Sequence, residues 1–139
     1  FIFEYCTTSK KYSLRGFHFQ HRFQQAKYVT VLKGKILDCV VDLRKKSKTF
    51  GKIFSIILSK KNNLALYIPE GFAHAYYSFE KENIIYYKLT NYYKPKFEDG
   101  INVLDKSLNI NWPSGKKVIS IKDKKLKSFA NFKNFYRSL

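Results

Sequence analysis

Several residue types are scarce in this chain, and each scarcity removes a class of protein. There are only two cysteines, Cys6 and Cys39, in no metal-ligand or redox spacing. A lysine-rich chain with free thiols is expected in the cytoplasm, with a single disulfide between the two as the alternative. The three prolines punctuate no linker, and there is no repeat or low-complexity joint, so residues 1–139 are expected to form one domain. No apolar run approaches membrane-spanning length, and no basic stretch followed by an apolar one opens the chain, so neither a membrane partner nor an export signal is expected. The first residue is Phe1 and not Met, which predicts a start inside a longer product.

Chemistry-bearing motifs are also few. With His18, His21 and His74 as its only histidines, a metal site would need carboxylates or cysteines to complete it. His18-x-x-His21 on a strand sends its two rings to opposite faces, so no metal or other cofactor is expected. Neither cysteine has a histidine nearby in sequence, and there is no glycine-flanked serine elbow or glycine-rich phosphate loop. Acidic residues number 10 against 27 basic ones, a net charge of +17 that calls for an anionic partner. Nucleic acid, a membrane surface and a phosphorylated small molecule all satisfy that demand. The lysines come in scattered pairs, without the basic stripe interleaved with exposed aromatics that nucleic-acid binding favours, so no nucleic-acid partner is expected.

What the chain does have is 45% hydrophobic and 18% aromatic residues, arranged in short β-type runs between turn residues. That pattern predicts an all-β antiparallel sandwich or barrel. Runs at 28–32 and 36–43, joined through Lys33-Gly34-Lys35, read as a hairpin, and a second hairpin is expected between 74–79 and 84–90 across 80–83. Further strands are expected at 52–58 and 64–68. From Lys124 onward, Leu126, Phe129, Phe132 and Tyr136 recur at helical spacing, predicting a short helix capped by Asp123 whose apolar face packs on the sheet.

One run departs from an ordinary core strand. Leu14-Arg15-Gly16-Phe17-His18-Phe19-Gln20 carries an arginine, a histidine and a glutamine among aromatics. With metal and nucleophilic routes thinly supported, general acid–base chemistry remains, with a histidine and a tyrosine acting from opposite faces of a substrate. In Ile85-Tyr86-Tyr87-Lys88-Leu89, alternation sends Tyr86 and Tyr87 to opposite faces, so one of them points inward.

Taken in order, these runs resemble the dTDP-4-dehydrorhamnose 3,5-epimerase family. The matching motifs are the Leu14 to Gln20 run, Gln25-Ala26-Lys27-Tyr28-Val29, Asp42-Leu43-Arg44 with Thr49-Phe50-Gly51, and Ile68-Pro69-Glu70-Gly71-Phe72-Ala73-His74. They continue with Tyr87-Lys88-Leu89-Thr90-Asn91-Tyr92-Tyr93, the run from Asp105 to Pro113, and Ser120-Ile121-Lys122-Asp123. The resemblance implies a cupin-type jelly roll, a homodimer, and a reaction without metal. The implied substrate is a nucleotide-diphosphate-linked 4-keto-6-deoxy sugar, which loses a proton beside its C4 ketone and regains it on the other face. By the same resemblance His18 is the base, Asp123 the carboxylate that orients it, Tyr87 the acid, and Lys27 the cation near the keto oxygen. Arg15, Gln20, His74, Glu98 and Lys122 match substrate-contacting positions, and Tyr93 matches the tyrosine that stacks on the nucleotide base.

Strict alternation separates Arg15 from His18, so a shared pocket requires Gly16 to seat a bulge. The chain also departs from the family pattern. The family has a segment ahead of the part matching Phe1. Phe3-Glu4-Tyr5 stands where the family carries an amide-rich run, Val103 and Leu104 replace a tryptophan and an asparagine, and Ala75 replaces a glycine. The drift on the nucleotide side implies retained proton chemistry on a different nucleotide sugar. The alternative is a jelly roll that binds such sugars without turning them over.

Overall fold

Strand β1 (Phe3–Lys10) opens the chain and is followed by β2 (Leu14–Gln20), β3 (Lys27–Lys33), β4 (Lys35–Asp42) and β5 (Ile53–Ser59). Next come β6 (Ala65–Ile68), β7 (Phe72–Ser78), β8 (Glu82–Leu89) and the short β9 (Glu98–Gly100), then two short helices, α1 (Ile121–Lys124) and α2 (Phe129–Phe135). This computed structural model describes residues 1–136. The strands form a four-stranded sheet, β1-β8-β3-β6, and a five-stranded sheet, β5-β4-β7-β2-β9, antiparallel throughout. The expected all-β jelly roll is what the chain forms. No helix among the described residues is long and apolar enough to cross a membrane.

The five-stranded sheet is a middle layer. On the face turned toward the other sheet, Ile36, Val40, Leu58 and Tyr76 pack with Val29, Val31, Ile68, Ile85 and Tyr87. On its outer face, Leu14, Phe17, Phe19, Cys39, Val41, Ala73, Ala75 and Tyr77 pack under Leu108, Phe129 and Phe132 of the C-terminal segment. Strands covered on both faces are apolar at successive positions, which is why β4 reads as a near-continuous hydrophobic run. Both thiols are free: Cys6 is exposed on β1 and Cys39 is buried on β4.

Both expected hairpins are corrected. β3 pairs with β6 and β8, whereas β4 pairs with β5 and β7, so the Gly34 turn passes the chain from one sheet to the other. The connection from β7 to β8 crosses between sheets in the same way. Asn83 ties the two corners together: its side chain accepts from Lys35 N at 3.0 Å and donates to Ser9 O at 3.0 Å and Glu80 O at 2.8 Å. A turn residue specifies a reversal of the chain, and a reversal serves a sheet-to-sheet corner as well as a hairpin.

The C-terminal helix is also corrected. Ser120 caps α1, accepting from Asp123 N, and Ser128 caps α2, so Asp123 is not a cap but lies inside the first turn. Between the two, Lys127 bridges to Ile101 and its carbonyl accepts from Asn102 N at 2.8 Å, which draws the chain out of helical conformation. The last three residues of the expected helix lie outside the described residues. Phe129, Phe132 and Tyr136 do pack on the outer core.

Candidate active site

A cavity of about 370 Å³ opens between the two sheets, and every site residue expected from the sequence lines it. The five-stranded sheet brings Arg15 and His18 to it on β2 and His74 on β7. The four-stranded sheet brings Lys27 on β3 and Tyr87 on β8. Register explains how Arg15 and His18 come to share it. Arg15 lies opposite Tyr76 and His18 opposite His74, so three steps along β2 match two along β7. That bulge puts both side chains on the inter-sheet face and leaves Leu14 and Phe17 in the outer core. Gly16 sits in it with φ +107°, and a Cβ there would come within 2.4 Å of the His74 carbonyl oxygen, so only glycine fits.

Asp123 returns from the far end of the chain to the histidine. Its Oδ1 lies 2.7 Å from His18 Nε2, and its Oδ2 accepts from Gly16 N at 3.0 Å. The Asp123 side chain is 2% exposed and that of His18 25%, so the carboxylate is sealed while the ring reaches the cavity. Burial pushes the Asp123 carboxyl up, but the bond and charge of His18, the Gly16 amide and Arg15 outweigh it and hold the group below its ordinary value. An ionised Asp123 accepts a hydrogen bond from Nε2–H, which leaves Nδ1 as the ring nitrogen with a free lone pair.

Tyr87 is buried in the opposite wall. Burial, reinforced by Tyr76, Tyr5 and Asp38 against the opposing charge of Arg15, pushes its phenol well above the ordinary value and keeps it protonated. Tyr86 is its outward-facing neighbour, donating to Glu4 at 2.6 Å. Lys27 is half-buried beside the same cavity, and burial pushes its ammonium down to about 8 against the pull of Glu98 and Asp38. At the rim, Glu98 accepts from the Tyr93 hydroxyl at 2.9 Å and from the Lys122 ammonium. These bonds and the nearby His18 overcome burial and hold Glu98 below its ordinary value.

Gln20 also has a structural part. It lines the cavity, yet its amide donates to Phe23 O at 2.7 Å and its carbonyl accepts from Lys94 N at 2.6 Å, so it braces the loops that carry the rim. Three residues at or beside the cavity were not among the expected site residues. Asp38, fully buried on β4, lies 2.8 Å from His74 Nε2 and has its other oxygen unpartnered among the described residues. A lone carboxylate inside Ile36-Leu37-Asp38-Cys39-Val40 was the signal available for it. Tyr5 and Tyr76 also line the cavity. Among the described residues, no group of three or more His, Cys, Asp or Glu side chains is placed to hold a metal ion.

A histidine on one sheet held by the Asp123 carboxylate of α1, and a buried phenol on the facing sheet, form an arrangement that can move protons on two sides of one cavity. The chain belongs to the dTDP-4-dehydrorhamnose 3,5-epimerase family, whose sequence model matches residues 1–131. It is 44% identical over 100 residues to the dTDP-4-dehydrorhamnose 3,5-epimerase of Methanothermobacter thermautotrophicus, a match covering 72% of this chain and 54% of that protein. The enzyme of the same name from Shigella flexneri is 41% identical over 124 residues, covering 88% of this chain and 68% of the relative. Among solved structures, the dTDP-6-deoxy-D-glucose-3,5-epimerase of Legionella pneumophila, in complex with dTDP-4-keto-L-rhamnose, superposes with a TM-score of 0.90 at 40% identity. That superposition covers 92% of this chain and 69% of the Legionella chain. This chain thus spans about half the length of the first relative and about two thirds of the other two.

Proposed function

We propose that the protein inverts C3, C5 or both of a nucleotide-diphosphate-linked 4-keto-6-deoxy sugar, of the kind its relatives' names describe. The observation that carries this reading is the placement of base and acid. His18, held by Asp123, comes from the five-stranded sheet and Tyr87 from the four-stranded sheet, with one cavity between them. Inversion at a carbon needs proton removal on one face and return on the other, and two facing sheets supply opposite faces.

The steps follow from the residues. Nδ1 of His18 takes the proton from the carbon beside the ketone, and Asp123 stabilises the resulting imidazolium. Charge that builds on the ketone oxygen meets the Lys27 ammonium in the same cavity. Tyr87 donates its proton to the opposite face of the enolate, and solvent restores the phenol. Arg15 presents a planar fork for the diphosphate, and Tyr93, steadied through Glu98, presents an aromatic face for the nucleotide base. A substrate built on a nucleotide is a cytoplasmic metabolite, and the reading puts the protein there. It also carries a homodimer: β1 is an edge strand with one row of backbone groups open, and Phe1 and Ile2 beside it are exposed.

The test is incubation with dTDP-linked and other nucleotide-linked 4-keto sugars in D2O. Deuterium is expected at C3, C5 or both, with inverted product. His18→Asn abolishes exchange, whereas Tyr87→Phe slows inversion more than exchange, by about 10²-fold or more. A folded wild-type protein that puts no deuterium into any of these sugars would overturn the reading.

A further inference from the structure

Tyr5 has no part in the steps above, yet it has the most intimate contact with the acid. It lies directly across from Tyr87 in the β1–β8 pairing, and the two rings stack with centroids 4.9 Å apart and planes 14° from parallel. Tyr5 lines the cavity and is 42% exposed, so the stack runs from the buried Tyr87 ring out to the cavity opening. Its ring leans in turn on Phe3 at 5.8 Å, and Phe3 on Tyr92 at 5.8 Å. From the other side the His74 ring meets Tyr87 edge-on at 5.9 Å and 72°.

These ring contacts carry weight because hydrogen bonds do not aim the phenol. Among the described residues the Tyr87 hydroxyl has no hydrogen-bond partner, in contrast to Tyr86, Tyr93 and Tyr77, which donate to Glu4, Glu98 and the Lys116 carbonyl. A proton donor gains its rate advantage from being held in line with the carbon it protonates. With no bond fixing the oxygen, the plane of the ring must fix it, and a flat face against one side with an edge against another leaves a single orientation.

We propose that Tyr5 is a positioning residue for the acid, its stacked ring holding the Tyr87 phenol on line toward the sugar face opposite His18. The proposal rests on the epimerase reading and predicts how the enolate partitions. The base removes the carbon-bound proton and exchanges it with solvent. The enolate then takes a deuteron back from the base on the original face, giving labelled, uninverted sugar, or a deuteron from Tyr87 on the far face, giving labelled, inverted sugar. Loosening Tyr87 slows only the second path.

The experiment measures the ratio of labelled uninverted sugar to inverted product in D2O by NMR, with dTDP-4-keto-6-deoxyglucose as the probe. Tyr5→Leu keeps an apolar side chain without a flat face and should raise the ratio about tenfold. Tyr5→Phe keeps the stack and should leave the ratio at its wild-type value. Tyr5→Thr, a strand former without a ring, makes the same comparison should the leucine variant fail to fold. An equal loss of exchange and inversion, with the ratio unmoved, overturns the proposal, as does a rise in Tyr5→Phe matching that in Tyr5→Leu. A wild-type protein with no exchange overturns the epimerase reading and this proposal together, whereas normal wild-type inversion with an unmoved ratio in the variants overturns this proposal alone.

Discussion

In the proposed reaction Lys27 trades stability for chemistry. Burial lowers its ammonium from 10.5 to about 8, because the folded cavity wall solvates charge less well than water does. Only the protonated form can meet a developing oxyanion, so turnover is expected to fall as pH rises through about 8. A pH–rate profile of Lys27→Arg, which keeps its charge, should lack that alkaline limb. Lys27→Met should lose about 10²–10³ in kcat. The linkage runs the other way for folding. The folded state binds the proton less tightly than the unfolded chain, so the cost is full below about 8 and disappears as pH rises toward 10.5. Lys27→Met should therefore melt higher than wild type at pH 7, by calorimetry. The sequence reading singled out Lys27 and most of its companions because they stand in motifs of the family, and the fold gathers them around one cavity. Tyr5 was invisible as a stacking partner, since its contact depends on the β1–β8 register, which no local pattern encodes.

Among the elements, β2 is the one on which the site depends, and the bulge at Gly16 was legible because alternation alone could not bring Arg15 and His18 together. Gly16→Ala forces a Cβ into the His74 carbonyl and the Ala75 backbone at a φ that disfavours side chains. The cost should be about 1–3 kcal/mol in denaturant unfolding. Activity should fall further than stability, because the Gly16 amide also holds Asp123. The strands themselves were largely readable from β-branched and aromatic runs. β1 was not, since Thr7-Thr8-Ser9 interrupts its apolar pattern, and β9 has three residues, too few to show any period. Strand partners were misassigned because alternation fixes which face is buried and says nothing about which neighbour supplies the hydrogen bonds.

For the whole molecule, charge and association are coupled. Two copies of a chain carrying +17 repel one another, so a dimer built on the β1 edge must gain more from pairing than it loses to that repulsion. Light scattering should give twice the 16.5 kDa of the chain. The dimer should tighten with added salt, and Ile2→Lys should shift it toward monomer; a single 16.5 kDa species at every salt concentration would sink the dimer. In the proposed reaction the same positive charge serves to attract a doubly charged nucleotide sugar, a use that composition could suggest but not locate.

The pairing of β1 with β8 also sets a timetable for synthesis. Glu4 and its partner Tyr86 are 82 residues apart in sequence, and β8 is the only strand that pairs with β1 among the described residues. At ribosomal rates of about 5–20 residues per second, β1 waits on the order of ten seconds for its complement. During that interval Tyr5 has no Tyr87 to rest on, and a nascent edge rich in aromatics is open to other chains. The stack proposed to aim the acid can therefore close only after β8 has been made.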